Sequence, residues 1–121
     1  MAWNAASRAV WQPPTDVYET ADEIVVRVEL AGVDPEQVSI QLTERVLTVS
    51  GVRKDDQEKV GYHRMEISHG PFETRAVLPR RADIRGVAAE YKSGFLLVRV
   101  PKSGTVRVIV NGADAPSECP E

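Results

Sequence analysis

The sequence predicts an antiparallel β-sandwich. Short runs of alternating apolar and polar residues recur at roughly 8–12-residue spacing, turn residues punctuate them, and no amphipathic helix longer than about two turns is supported. The first long run, "EIVVRVEL" at 23–30, puts Ile24, Val26, Val28 and Leu30 on one face and Arg27 and Glu29 on the other. "AGVDPEQ", with Pro35, is a turn into 38–42, where Val38, Ile40 and Leu42 alternate. "TER" is a tight connection to "VLTVSGV" at 46–52, which is rich in β-branched residues. A charged loop follows at 53–62 ("RKDDQEKVGY"), and apolar runs return at 72–79, 87–91 and 95–101. Gly94 takes a left-handed turn position that a β-branched residue does not tolerate. Ala89 leaves room for a neighbouring strand or layer, and Pro101 ends the last strand by removing a ladder donor.

At 121 residues, with 42% hydrophobic content, the chain is one domain with enough core to fold without disulfides or metals. A net charge of −3 offers no basic stripe, so neither nucleic acid nor an anionic membrane is an expected partner. Apolar runs fall far short of the roughly 20 residues that span a bilayer, and "MAWNAASRAVW" lacks the apolar core of a secretory signal. Cys119 is the only cysteine and lies in a polar tail, which excludes an intrachain disulfide. These features predict a soluble cytoplasmic protein. The tail at 111–121 lacks apolar periodicity and is expected to be disordered.

No catalytic constellation is visible. His63 and His69 flank an expected strand without a cysteine nearby, and at that separation they lie roughly 20 Å apart if extended. Carboxylate pairs such as Asp55–Asp56 and Glu36–Glu44 sit in turns and loops, and Cys119 has no basic neighbour to lower its pKa. The chain is read as a non-enzyme with no cofactor and no metal site.

Two stretches are more specific than a generic sandwich. In "AEYKSGFLLVRVPK" (89–102), Ala89, Tyr91, Gly94, Leu96, Val98, Pro101 and Lys102 fall at fixed offsets. In "YHRMEISHGPFETRAVLP" (62–79), an aromatic and Arg-x-Glu lead into Gly-x-Phe and then Leu-Pro. With "DVYET" (16–20), "VELAGVDPEQVSIQL" (28–42) and "LTVSGVRK" (47–54), they closely resemble the alpha-crystallin domain of bacterial small heat shock proteins. The resemblance runs from about residue 13 to 102. It implies an immunoglobulin-like β-sandwich at 13–102, with a short N-terminal arm at 1–12 and a C-terminal extension at 103–121. It also implies an ATP-independent holdase that binds partly unfolded client proteins through exposed apolar surface and slows their aggregation under stress.

The resemblance maps Lys54, Asp55, Asp56, Gln57, Glu58, Lys59, Val60, Gly61 and Tyr62 onto a loop whose strand is exchanged between subunits, giving a homodimer or a small higher oligomer. The residues alone show only a polar loop too long for a tight hairpin, so a solvated loop and a swapped strand both stand. Val108 and Val110 match the family's C-terminal anchor. Their receiving groove is lined by Val38, Ile40, Leu42, Val87 and Ala89. The alternative is an added strand that pairs with its own domain through a turn at "KSGT".

Three departures stand out. The tether from Lys102 to Val108 spans at most roughly 20 Å. The arm is shorter than the family's usual N-terminal region; Trp3, Val10 and Trp11 are either client or subunit contacts, or Trp11 packs on its own sandwich. Thr74 stands where the family has an arginine, with Arg75 on the opposite face of the strand. The competing functional reading is a co-chaperone-like adaptor that binds one folded partner.

Overall fold

Alternating Ile, Val and Leu residues need one buried face per strand, and two sheets packed face to face satisfy all of them at once. The computed structural model, which describes residues 9–103, has that arrangement. The strands are β1 (Thr15–Glu19), β2 (Glu23–Glu29), β3 (Ser39–Thr43), β4 (Val46–Arg53), β5 (Gly70–Val77), β6 (Ala88–Lys92) and β7 (Phe95–Pro101). One sheet runs β1-β2-β7-β6 and the other β3-β4-β5, with every pairing antiparallel. Single-turn 3-10 helices at Pro35–Gln37 and Ile84–Gly86 follow Asp34 and Asp83, whose carboxylates accept the Glu36 and Arg85 amides at 3.0 and 3.1 Å. Among the described residues, no helix is long and apolar enough to cross a membrane.

The core comes from the expected positions. Ile24, Val26, Val28 and Leu30 meet Leu47, Val49, Phe72, Ala76 and Leu78 from the facing sheet, with Leu96, Val98 and Val100 beside them. One residue departs from simple alternation. Val25 points to the outer face of β2, yet it is fully buried, standing between Tyr18 and Arg99 in cross-strand register. Long side chains on neighbouring strands shield it, which a single strand's pattern does not reveal.

The hairpin between β6 and β7 is a two-residue turn in which Ser93 and Gly94 both have positive φ, 54° and 84°. That is the turn type whose twist matches the flanking strands. A Cβ at Gly94 would also sit 3.3 Å from the Ala31 Cβ. Gly94→Val is therefore expected to lose about 1–3 kcal/mol of stability, read as a lowered urea midpoint with unchanged slope.

Residues 54–69 contain no strand, so the one expected between His63 and His69 is absent. At the far end, Pro101 closes β7 and the chain is gripped as it leaves. The Lys102 amide donates to the Asp22 carbonyl at 3.0 Å, and its ammonium donates to the Thr20 carbonyl at 2.7 Å and meets Glu19 at 3.1 Å. Arg81 also binds Glu19, and together these cations hold the Glu19 carboxyl below the ordinary glutamate range.

Candidate functional site

The sandwich is closed on one side and open on the other. On the closed side the hydroxyls of Thr15 in β1 and Thr74 in β5 lie 2.9 Å apart, joining the two sheets. The remaining edges, β3 and β6, border the opposite side. Ile40 and Leu42 stand opposite buried Val49 and Leu47, while Ala89 and Tyr91 stand opposite buried Val98 and Leu96. Their side chains therefore face inward, toward the open side. Val38, Ile40, Leu42, Val87 and Tyr91 are half-buried against the core, whereas Ala89 is exposed. Ala89 pairs with Val98 of the neighbouring strand β7, and its small, exposed side chain leaves the groove floor open.

The expected groove residues thus lie along one apolar trough between two strand edges that are unpaired among the described residues. Such a trough suits the side chains of an extended apolar segment. Tyr91 belongs to it and was missed, although its position two residues after Ala89 puts it on the same face. Its hydroxyl donates to the Leu30 carbonyl at 2.8 Å and fixes one end of the trough.

The loop has two unlike halves. In Lys54–Tyr62, the Asp55 carboxylate accepts from the Lys59 ammonium, from the Gln57 amide at 3.3 Å and from the Tyr62 hydroxyl at 3.3 Å. Lys59, followed by the Gln57 amide, holds the Asp55 carboxyl below the usual carboxylate range. His69 lies 3.9 Å from the same carboxylate. Among the described residues, no group of three His, Cys, Asp or Glu side chains is placed to hold a metal. In the second half Met65 and Ile67 are 64% and 66% exposed, with Arg64 and Glu66 between and beside them. They lie between His63 and His69, where a strand was expected and none forms.

Trp11 packs on its own sandwich, the second of the two readings open for it. It bridges to Phe72, its indole donates to the Gly70 carbonyl at 3.1 Å, and the Arg53 guanidinium lies 4.5 Å from its ring centre. Val10 is exposed. Trp3, Val108 and Val110 lie outside the described residues. Thr74 is a core position, 3% exposed, and the guanidinium that faces outward on β5 is Arg75, paired with Glu73 at 2.9 Å. Thr74 faces inward, and Arg75 is the outward cation of this strand.

A family profile described as the Hsp20/alpha crystallin family matches residues 16–109. The 19.0 kDa class II heat shock protein of Oryza sativa subsp. japonica is 40% identical over 105 residues, covering 78% of this chain and 60% of that protein. Small heat shock protein C4 of Rickettsia felis is 32% identical over 95 residues, covering 77% and 58%. The chain thus spans about 60% of the length of these curated relatives. The crystal structure of hspA from Xanthomonas axonopodis superposes with a TM-score of 0.71 at 34% identity, covering 78% of this chain and 96% of that one. A Xylella fastidiosa small heat-shock protein, described as having a distinct high order structure, gives 0.71 at 31% identity, covering 87% and 100%.

Proposed function

The chain belongs to the Hsp20/alpha-crystallin family, and from that premise we propose that it is a holdase in the cytoplasm that binds partly unfolded proteins and suppresses their aggregation. Small heat shock proteins are ATP-independent chaperones, not enzymes. The observation that carries the proposal is the apolar trough between β3 and β6, bordered by half-buried Val38, Ile40, Leu42, Val87 and Tyr91. At roughly 25 cal/mol per Å² of apolar surface removed from water, a few hundred Å² of contact gives weak, reversible binding. Several such contacts on one oligomer hold a client by avidity.

In the same reading Val108 and Val110 fill this trough on a neighbouring subunit, and clients displace them. The building block is a homodimer in which the loop of one subunit lies along β1 of the other. β1 is an edge strand, and its inward Val17 is 49% exposed. Met65 and Ile67, carried on the loop as a strand, are the apolar pair that would cover it.

The test is light scattering from a thermally unfolding protein, without ATP, across a titration of the full chain and of a version ending at Lys102. Suppression is expected from both, with the shortened chain acting at lower molar ratio, since its trough has no internal occupant. No suppression at several-fold molar excess would sink general chaperoning. It would favour the adaptor reading, which predicts saturable binding to one folded protein.

A further inference from the structure

The arm that precedes β1 docks on the edge of β5 through one isolated bridge. Trp11 pairs with Phe72 in parallel: its amide donates to the Pro71 carbonyl at 3.1 Å, and the Glu73 amide donates to its carbonyl at 3.1 Å. The indole then fills a slot. Its ring lies 5.6 Å from the Phe72 ring, its N–H reaches the Gly70 carbonyl, and Arg53 covers it. Arg53 is held by the Ser68 and Ala31 carbonyls at 3.0 and 3.1 Å, so the slot wall is built by the loop root and the β2–β3 turn together.

β5 is an edge strand, and these are the bonds a sheet edge offers to any extended chain. The Leu78 amide reaches back to the Arg45 carbonyl on the β4 side. Strand alternation therefore directs the backbone groups of Glu73, Arg75 and Val77 away from β4. The arm uses only the first part of that edge, because Pro13 and Pro14 lack amide donors and turn it toward β1. Past the arm the edge continues, with the Val77 side chain 75% exposed. The slot recognises an extended backbone and one large aromatic ring, a requirement many unfolded segments meet.

We propose that the β5 edge beside Phe72 is a docking site for an extended, aromatic-bearing segment of a partly unfolded protein, and that residues 9–12 occupy it as an internal competitor. The arm seated there defines the occupant: the same direction, the same two backbone bonds, an aromatic in the same slot. Its hold is local and small, so it opens far more readily than the β4–β5 ladder, and heating uncovers the edge. That the segment comes from an unfolded protein rests on the holdase reading; the site itself does not.

The test uses a fluorescein-labelled peptide of residues 8–14, RAVWQPP, and anisotropy with the full-length protein. The Trp11→Ala chain, whose arm no longer fills the slot, is expected to bind it about tenfold or more tighter than the unmodified chain, whose own arm competes at high effective concentration. The same peptide with alanine for tryptophan is expected not to bind. Equal binding to both chains, or none to a folded Trp11→Ala chain, would overturn the site. Should that variant fail to fold, hydrogen exchange on the unmodified chain decides. The Glu73 amide is expected to exchange about tenfold or more faster than the Thr74 and Ala76 amides. Equal protection of all three would overturn the opening arm. Peptide binding without suppression of aggregation would leave the docking edge standing and sink only the holdase reading.

Discussion

Thr74→Arg is expected to lose about 3–5 kcal/mol of folding stability, enough to unfold much of the population of a domain of ordinary stability. Thr74 stands opposite Val49 on the inner face of β5, is 3% exposed, and its hydroxyl bonds to that of Thr15. A guanidinium there enters the space between the sheets beside Val49 and the Thr15 hydroxyl, and burying an unpaired charge outweighs any packing by its methylenes. Thr74→Val is the control: it keeps the shape and forfeits one hydrogen bond, about 1 kcal/mol. Urea unfolding followed by circular dichroism separates the two. Near-normal stability of Thr74→Arg would mean that this position opens to solvent, as an interface arginine would require.

The double substitution Met65→Asp, Ile67→Asp is expected to leave the fold intact and abolish the proposed homodimer. Both side chains are about two-thirds exposed in the isolated chain, so the sandwich does not depend on them. In a two-fold exchange each lies against the partner's β1 edge, and four buried apolar side chains are lost at once. At about 1.5–3 kcal/mol for each, the dimer constant falls by at least about ten-thousandfold. Sedimentation velocity is expected to show a dimer for the unmodified chain and a monomer for the variant. A variant that stays dimeric would return the loop to the solvated reading.

Strand positions were legible because a two-residue period with one buried face leaves an unambiguous imprint, as in Ile24, Val26 and Val28. The turn at Gly94 was legible for a similar reason, since few residues accept its backbone. What alternation does not encode is which edges lie together. The trough was placed through the family resemblance, and only the sheet order brings β3 and β6 to one side. Burial of Val25 depends on side chains from two other strands, and the Trp11 slot on carbonyls and rings distant in sequence. The Arg53 latch left no local signal, because both of its acceptors are backbone carbonyls. The strand expected between His63 and His69 is not formed by residues 54–69.

Binding of unfolded chains in the trough between β3 and β6 can be read by crosslinking from β3. Gln41 and Leu42 are neighbours on β3 whose side chains point to opposite faces, Leu42 into the trough and Gln41 to solvent. A photo-reactive side chain placed at one or the other, during heating with an unfolding test protein, reads the contact directly. Adducts to the test protein are expected from position 42 and few from position 41. Without heat, adducts from position 42 are expected to fall on residues 106–110 of another copy. Equal yields from both positions, or none from 42 while aggregation is still suppressed, would contradict the account.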